Sequence, residues 1–360
     1  MATAFSRRRL LQGAGLVGTA GLLNLGVGAC STAAEKRISF LNWQDYVDPA
    51  LLTRFTKATG LAVGYETYES NDELEKRLLS AAVTRKGGRK TTSFDLVVPS
   101  ENLFTTLMEG DLLQKFDSAV VTSALLDNLE PELRSVGGDY AVPWATGTTG
   151  IGYDTTVFTE PPTWEVFLDA TYAGKMSLLN EQREAFAAAL FSLGEDINTT
   201  DPAVIDAAET QLERFLVQAE LNSSTYLDDL ADGKLVVAQG FNTDVLQAAV
   251  RNRDLAFTVP EQGGTTWVDL LCIPVDAPNP EGANKMIAFY LDPANSADNA
   301  AFNLVDTGNV AARESVPAEV LADPAVFPTA AVAATLVPIK DLDSTATDLY
   351  GQAWERLTKN

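Results

Sequence analysis

The sequence contains no histidine and only two cysteines among 360 residues. Without histidine there is no Ser-His-Asp or Cys-His catalysis and no His-ligated metal. Basic residues are scarce as well, with 26 Lys and Arg against 49 Asp and Glu. Nucleic-acid binding relies on clustered cations, so this balance excludes a nucleic-acid partner and mildly favours a cationic one. Most of the acidic excess reads as a solvated surface. Apolar residues make up 46% of the chain, enough for a substantial core, and the length suits about two domains.

The N-terminus reads as an export signal spanning residues 1–29. Ser6-Arg7-Arg8-Arg9-Leu10-Leu11 places arginines ahead of an uncharged stretch that six glycines keep weakly hydrophobic. The register resembles a twin-arginine signal. Val27-Gly28-Ala29-Cys30 resembles a lipobox, which makes Cys30 the expected lipidation site and 30–35 a short lipidated linker. Processing there removes three arginines and no acids, taking the net charge from −23 to −26. Cys272 is then the only thiol left, so no internal disulfide forms; it lies in an apolar run and reads as a buried structural residue. An uncleaved anchor helix is the alternative at this end.

Beyond residue 35, short apolar runs alternate with amphipathic stretches, which is an α/β rhythm. Asp48-Pro49 and Asp201-Pro202 each supply a capping carboxylate followed by proline at the first helical position. Val204, Ala208, Leu212, Phe215 and Ala219 recur at helical spacing and predict a buried stripe. Gly233 is expected to end a short helix begun near Tyr226, with a buried strand over Lys234 to Ala238. Gly87 to Thr92 reads as a polar surface connector. The glycines from Gly147 to Gly152 do not match a phosphate loop and suit a chain crossing closely between two lobes.

Several motifs taken in order carry a family resemblance. They are Leu41-Asn42-Trp43-Gln44-Asp45-Tyr46, Thr67-Tyr68-Glu69-Ser70-Asn71, Phe94 to Ser100, Thr148 to Tyr153, Arg183-Glu184-Ala185-Phe186, Trp267-Val268-Asp269, Asn309 to Arg313 and a final helix over Tyr350 to Leu357. Residues 36–358 thereby resemble the spermidine/putrescine-binding proteins of bacterial ABC importers. The resemblance implies a periplasmic protein of α/β class with the two-lobed, type II periplasmic-binding-protein fold, holding ligand in the interlobe cleft and passing it to an ABC permease. Lobe 1 is expected from 36–148 plus 271–312 and lobe 2 from 149–270 plus 313–360. No cofactor or metal is implied.

A polyamine carries protonated amines separated by methylenes, so its pocket needs carboxylates for the charges and flat apolar walls for the spacers. Aromatic faces serve as walls and attract cations, by about 0.5–2 kcal/mol. The resemblance places Trp43 and Trp267 as walls, Asp45 and Tyr46 in the first cleft loop, Ser100 at a strand end, and Glu181, Glu184 and Asp269 as the carboxylates. Phe241, followed by Asp244, stands where the family has a tryptophan before an acid. Asn102 and Val305 replace aromatics, and Lys340 stands near a family glutamine, so the ligand is left open between putrescine, spermidine, another small amine and an amino acid. Lys340 either enters and shortens the pocket or reaches solvent beside Asp341 and Asp343. An exported hydrolase using Glu181 with Glu184, or Asp244 with Asp269, is the rival from another class.

Changing Cys30 to Ala is expected to release the protein from membranes or leave its signal uncleaved, as read by fractionation and intact mass. A wild-type protein that is soluble and begins downstream of Cys30 would contradict the lipid anchor.

Overall fold

The computed structural model describes residues 36–44, 46–68, 70–83 and 93–359. The signal, the linker with Cys30, the candidate ligand residue Asp45 and the Gly87 to Thr92 connector lie outside the described residues.

Helix starts follow the capping chemistry in the sequence. Asp48 accepts from the Ala50 amide at 2.9 Å at the head of Pro49–Thr59, and Asp201 accepts from Ala203 at 2.9 Å at the head of Pro202–Leu216. In the second helix the buried face is Ile205, Ala208, Gln211, Leu212 and Phe215. Val204 is only half-buried, and Ala219 is buried but lies beyond the helix, whose cap is Val217. Gln211 joins the buried face because its amide donates to Ser192 Oγ and its carbonyl oxygen accepts from Arg214. Gly233, at φ +72°, follows the helix Tyr226–Ala231. The next strand begins at Val237, not Lys234, because the Leu235 amide bonds back to Asp229 at the helix end.

Eleven strands form in chain order: β1 Arg37–Trp43, β2 Ala62–Tyr68, β3 Leu96–Val97, β4 Leu113–Gln114, β5 Ala141–Asp154, β6 Met176–Leu178, β7 Glu220–Leu221, β8 Val237–Phe241, β9 Leu255–Thr258, β10 Gly264–Pro274 and β11 Leu336–Pro338. Their main order is β2-β1-β3-β10-β5-β8-β6-β7, with β4 and β11 also on β10 and β9 on β5. At one end β1 runs parallel to β2 and β3; at the other β6 runs parallel to β7 and β8. The long strands β5 and β10 join these ends as an antiparallel pair, from Ala141 opposite Cys272 to Thr149 opposite Thr265, with an irregularity between Asp269 and Leu270.

β5 passes between two hydrophobic cores. Its Val142, Trp144 and Ala145 pack with Phe40, Phe55 and Tyr290, the Trp144 and Tyr290 rings stacking 4.4 Å apart. Its Ile151 and Tyr153 pack instead with Trp164, Phe186, Phe215 and Tyr350. A smaller cluster of Ala297, Ala300, Ala312, Val316 and Val320 reaches Leu246, so a further segment touches the second end. Cys272 is fully buried, and burial raises its thiol pKa well above the usual value, in keeping with a structural residue.

Candidate functional site

Side chains alternate along a strand, so Thr265, Trp267 and Asp269 share one face of β10. Opposite them on β5 are Thr149, Gly147 and Ala145. Gly147 is required where it stands: a Cβ there would meet the Trp267 ring at 2.3 Å and Asn242 Oδ1 at 2.4 Å. The indole therefore packs closely against the crossing strand at Gly147. Asn242 completes this contact, accepting from the Thr148 amide at 3.0 Å and donating to the Ala325 carbonyl at 2.8 Å.

Asp269 is almost fully buried. Tyr46 Oη donates to its Oδ2 at 3.0 Å, and Ser100 Oγ donates to its Oδ1 at 2.8 Å. Ser100 reaches it because the backbone preceding the helix Glu101–Glu109 bridges to β10, with the Leu270 amide donating to the Pro99 carbonyl at 2.9 Å. Desolvation outweighs both hydrogen bonds and pushes Asp269 up to about 6. Burial and the Asp269 charge in turn hold the Tyr46 phenol well above its usual value, so it remains a donor.

Asp244, in the first turn of Asn242–Arg251, accepts from Tyr226 Oη at 2.6 Å, and desolvation lifts it to about 6. Its charge, more weakly than that of Asp269, also raises the Tyr46 phenol. Glu184 is the third acid, in the first turn of Gln182–Leu193. Burial, only partly offset by bonds from Thr265 and Thr149, pushes it up to about 7. Among the described residues none of these three carboxylates forms an ion pair with Lys or Arg.

Aromatic rings on four of the strands pair with one another. Phe241 meets Trp267 edge to face at 6.1 Å, and Trp43 packs against Tyr68 at 4.6 Å. The indole N–H groups of Trp43 and Trp267 are both buried and have no hydrogen-bond acceptor among the described residues. Two buried donors thus lack an acceptor, and one of them, on Trp267, shares its face of β10 with Asp269.

The remaining sequence candidates lie further out. Glu181 is exposed at the N-cap of the Glu184 helix, and its charge raises the Glu184 pKa. Lys340 is exposed and forms no ion pair among the described residues. Its backbone joins a local network, the amide donating to Asn198 and the carbonyl accepting from Arg183, which also stacks on Tyr350. Tyr226, Thr149, Thr265, Gln239 and Asn242 were missed in the sequence. The available signal was the run of small polar residues on two long strands of otherwise apolar character.

A family model described as bacterial extracellular solute-binding protein matches residues 50–329. The spermidine/putrescine-binding periplasmic protein of Salmonella typhimurium is 34% identical over 319 residues, covering 86% of this chain and 88% of that protein. The putrescine-binding periplasmic protein PotF of Escherichia coli is 30% identical over 381 aligned positions, covering 99% of each. Among solved structures, the spermidine/putrescine ABC transporter substrate-binding protein PotD of Streptococcus pneumoniae superposes with a TM-score of 0.79 at 27% identity, covering 90% of this chain and 99% of that one. The α/β periplasmic-binding fold expected from the sequence is the fold of these neighbours.

The raised acids make ligand-free stability depend on pH. Unfolded Asp and Glu titrate near 4, so between about pH 4 and 7 the folded state binds the extra protons, and stability falls as pH rises through that window. Asp269→Asn removes one such penalty. It is expected to melt higher than wild type at pH 8, by up to about 3 kcal/mol, with the difference closing by pH 5. Paired melting curves check this, and a wild type that is more stable than the variant at pH 8 would contradict it.

Proposed function

Because the chain belongs to the bacterial extracellular solute-binding protein family, we propose that it captures a polyamine of the putrescine or spermidine type between two lobes and delivers it to an ABC permease. One observation carries the reading: Asp269, nearly buried on the same face of β10 as Trp267, accepts from Tyr46 and Ser100 and forms no ion pair among the described residues, and Glu184, bonded to Thr265 further along that face, and Asp244 likewise form none. Ammonium groups supply the missing charges, and methylene spacers suit the rings. Charge-assisted hydrogen bonds in such a desolvated cleft are stronger than exposed pairs.

The lobes in this reading comprise about 36–148 with 271–312, and 149–270 with 313–360. Support comes from β5, which leaves one core and enters the other near Thr149, and from the change of β10 partners along its length. These crossings act as hinges, and ligand biases the open and closed forms. Export by a twin-arginine signal and anchoring through Cys30 belong to the same proposal, supported by the N-terminal sequence. The names of the relatives, periplasmic and polyamine-binding, favour this location and ligand class.

A thermal-shift panel of putrescine, spermidine, spermine, agmatine and amino acids tests the reading. A polyamine at 100 times its dissociation constant is expected to stabilise the protein by about 2.7 kcal/mol. Asp269→Asn is expected to weaken that ligand by about 2–5 kcal/mol, as for other buried charge pairs. The absence of a shift with every polyamine, or unchanged binding by the variant, would refute the assignment.

A further inference from the structure

Glu184 starts a helix, yet its carboxylate is tied to both crossing strands. Thr149 Oγ1 on β5 donates to Oε1 at 3.1 Å, while Thr265 Oγ1 on β10 lies 3.0 Å from Oε1 and 2.9 Å from Oε2. The two threonines are direct cross-strand partners, which is why both hydroxyls reach one carboxylate. The backbone is fixed as well: Gln239 Nε2 on β8 donates to the Glu184 carbonyl at 2.8 Å, and Gln239 Oε1 accepts from the Leu179 amide at 3.2 Å. Glu184 is thus held from three strands at the point where β5 moves between cores.

We propose that Thr149 and Thr265 are positioning residues for ligand capture, their paired hydroxyls fixing the Glu184 carboxylate at one end of the β10 face that also carries Trp267 and Asp269, and favouring its charged form. The proposal rests on the polyamine reading of the same cleft and assigns its affinity at neutral pH to two residues that need not touch ligand.

Hydrogen bonds to a carboxylate favour its ionised form and burial disfavours it. At Glu184 burial outweighs the hydroxyl bonds and puts the midpoint at about 7, so losing the hydroxyls shifts the group further to its neutral form, which attracts an ammonium weakly. The other charges acting on it are Glu181, which opposes ionisation, and Arg183, which favours it. The Tyr226 phenol feels Glu184 from the other side, with Asp244 bonded to it. Tyr350, on the C-terminal helix, faces Arg183. From β5, β8 and β10 the contacts are Thr149, Gln239 and Thr265, none of which titrates.

Carboxyl-carbon NMR of the ligand-free full chain, assigned with Glu184→Gln, reads the titration directly. The midpoint is expected near 7 in wild type and in the Thr149→Ser/Thr265→Ser variant, and about one unit higher in Thr149→Val/Thr265→Val. Each single valine variant is expected to move it part of the way, which covers a double variant that folds poorly. In calorimetry with putrescine and spermidine, the double valine variant is expected to lose about fivefold in affinity at pH 7 and to regain most of it at pH 8.5. An unmoved midpoint, or an affinity loss equal at both pH values, would overturn the proposal. If wild type binds neither polyamine, the functional reading fails, while the NMR midpoint still decides whether the hydroxyls control Glu184.

Discussion

Three carboxylates whose charged forms burial disfavours, none in an ion pair among the described residues, are the constraint on which the rest of this site depends. Burying a charge is costly unless it is paired, and a group so placed protonates instead. Glu184, Asp244 and Asp269 show that compromise, each displaced toward neutral pH by burial and each restrained by hydroxyl donors. Tyr46, Ser100, Tyr226, Thr149 and Thr265 satisfy the oxygens without neutralising them. The protein therefore holds three acids whose charged forms burial disfavours.

The crossing strands deliver this arrangement. One face of β10 presents a threonine, a tryptophan and an aspartate in succession, and the β5 glycine opposite the tryptophan leaves room for its ring. Because β5 also contributes to both cores, movement of one end of the sheet against the other passes through the strands that hold the acids. The same geometry explains why Phe241, at the end of β8 and next to β5, meets Trp267 edge on.

Much of this was legible in the sequence, and the physical reasons are local. Asp-Pro pairs mark helix starts because capping and the missing proline amide act within a few residues, and both Asp48 and Asp201 cap as expected. The buried stripe of Pro202–Leu216 was misplaced at its edges, since the burial of Gln211 depends on Ser192 and Arg214, which periodicity does not reveal. Tyr226 and the Thr149–Thr265 pair were invisible for the same reason: their partners lie 18 to 81 positions away. Trp267 and Asp269 were readable only through the family resemblance, because an indole and an acid two residues apart on an apolar strand fit a core as well as a cleft.

Net proton release on ligand binding is the most direct measure of this account. Calorimetry of putrescine or spermidine near pH 6 in buffers of different ionisation enthalpy is predicted to show release on the order of one proton per ligand, fading toward pH 8.5, because the cation draws the buried acids into their charged forms. Saturable polyamine binding at pH 6 with no proton released would mean that the acids are already charged, and would contradict the claim that the empty cleft holds them uncompensated.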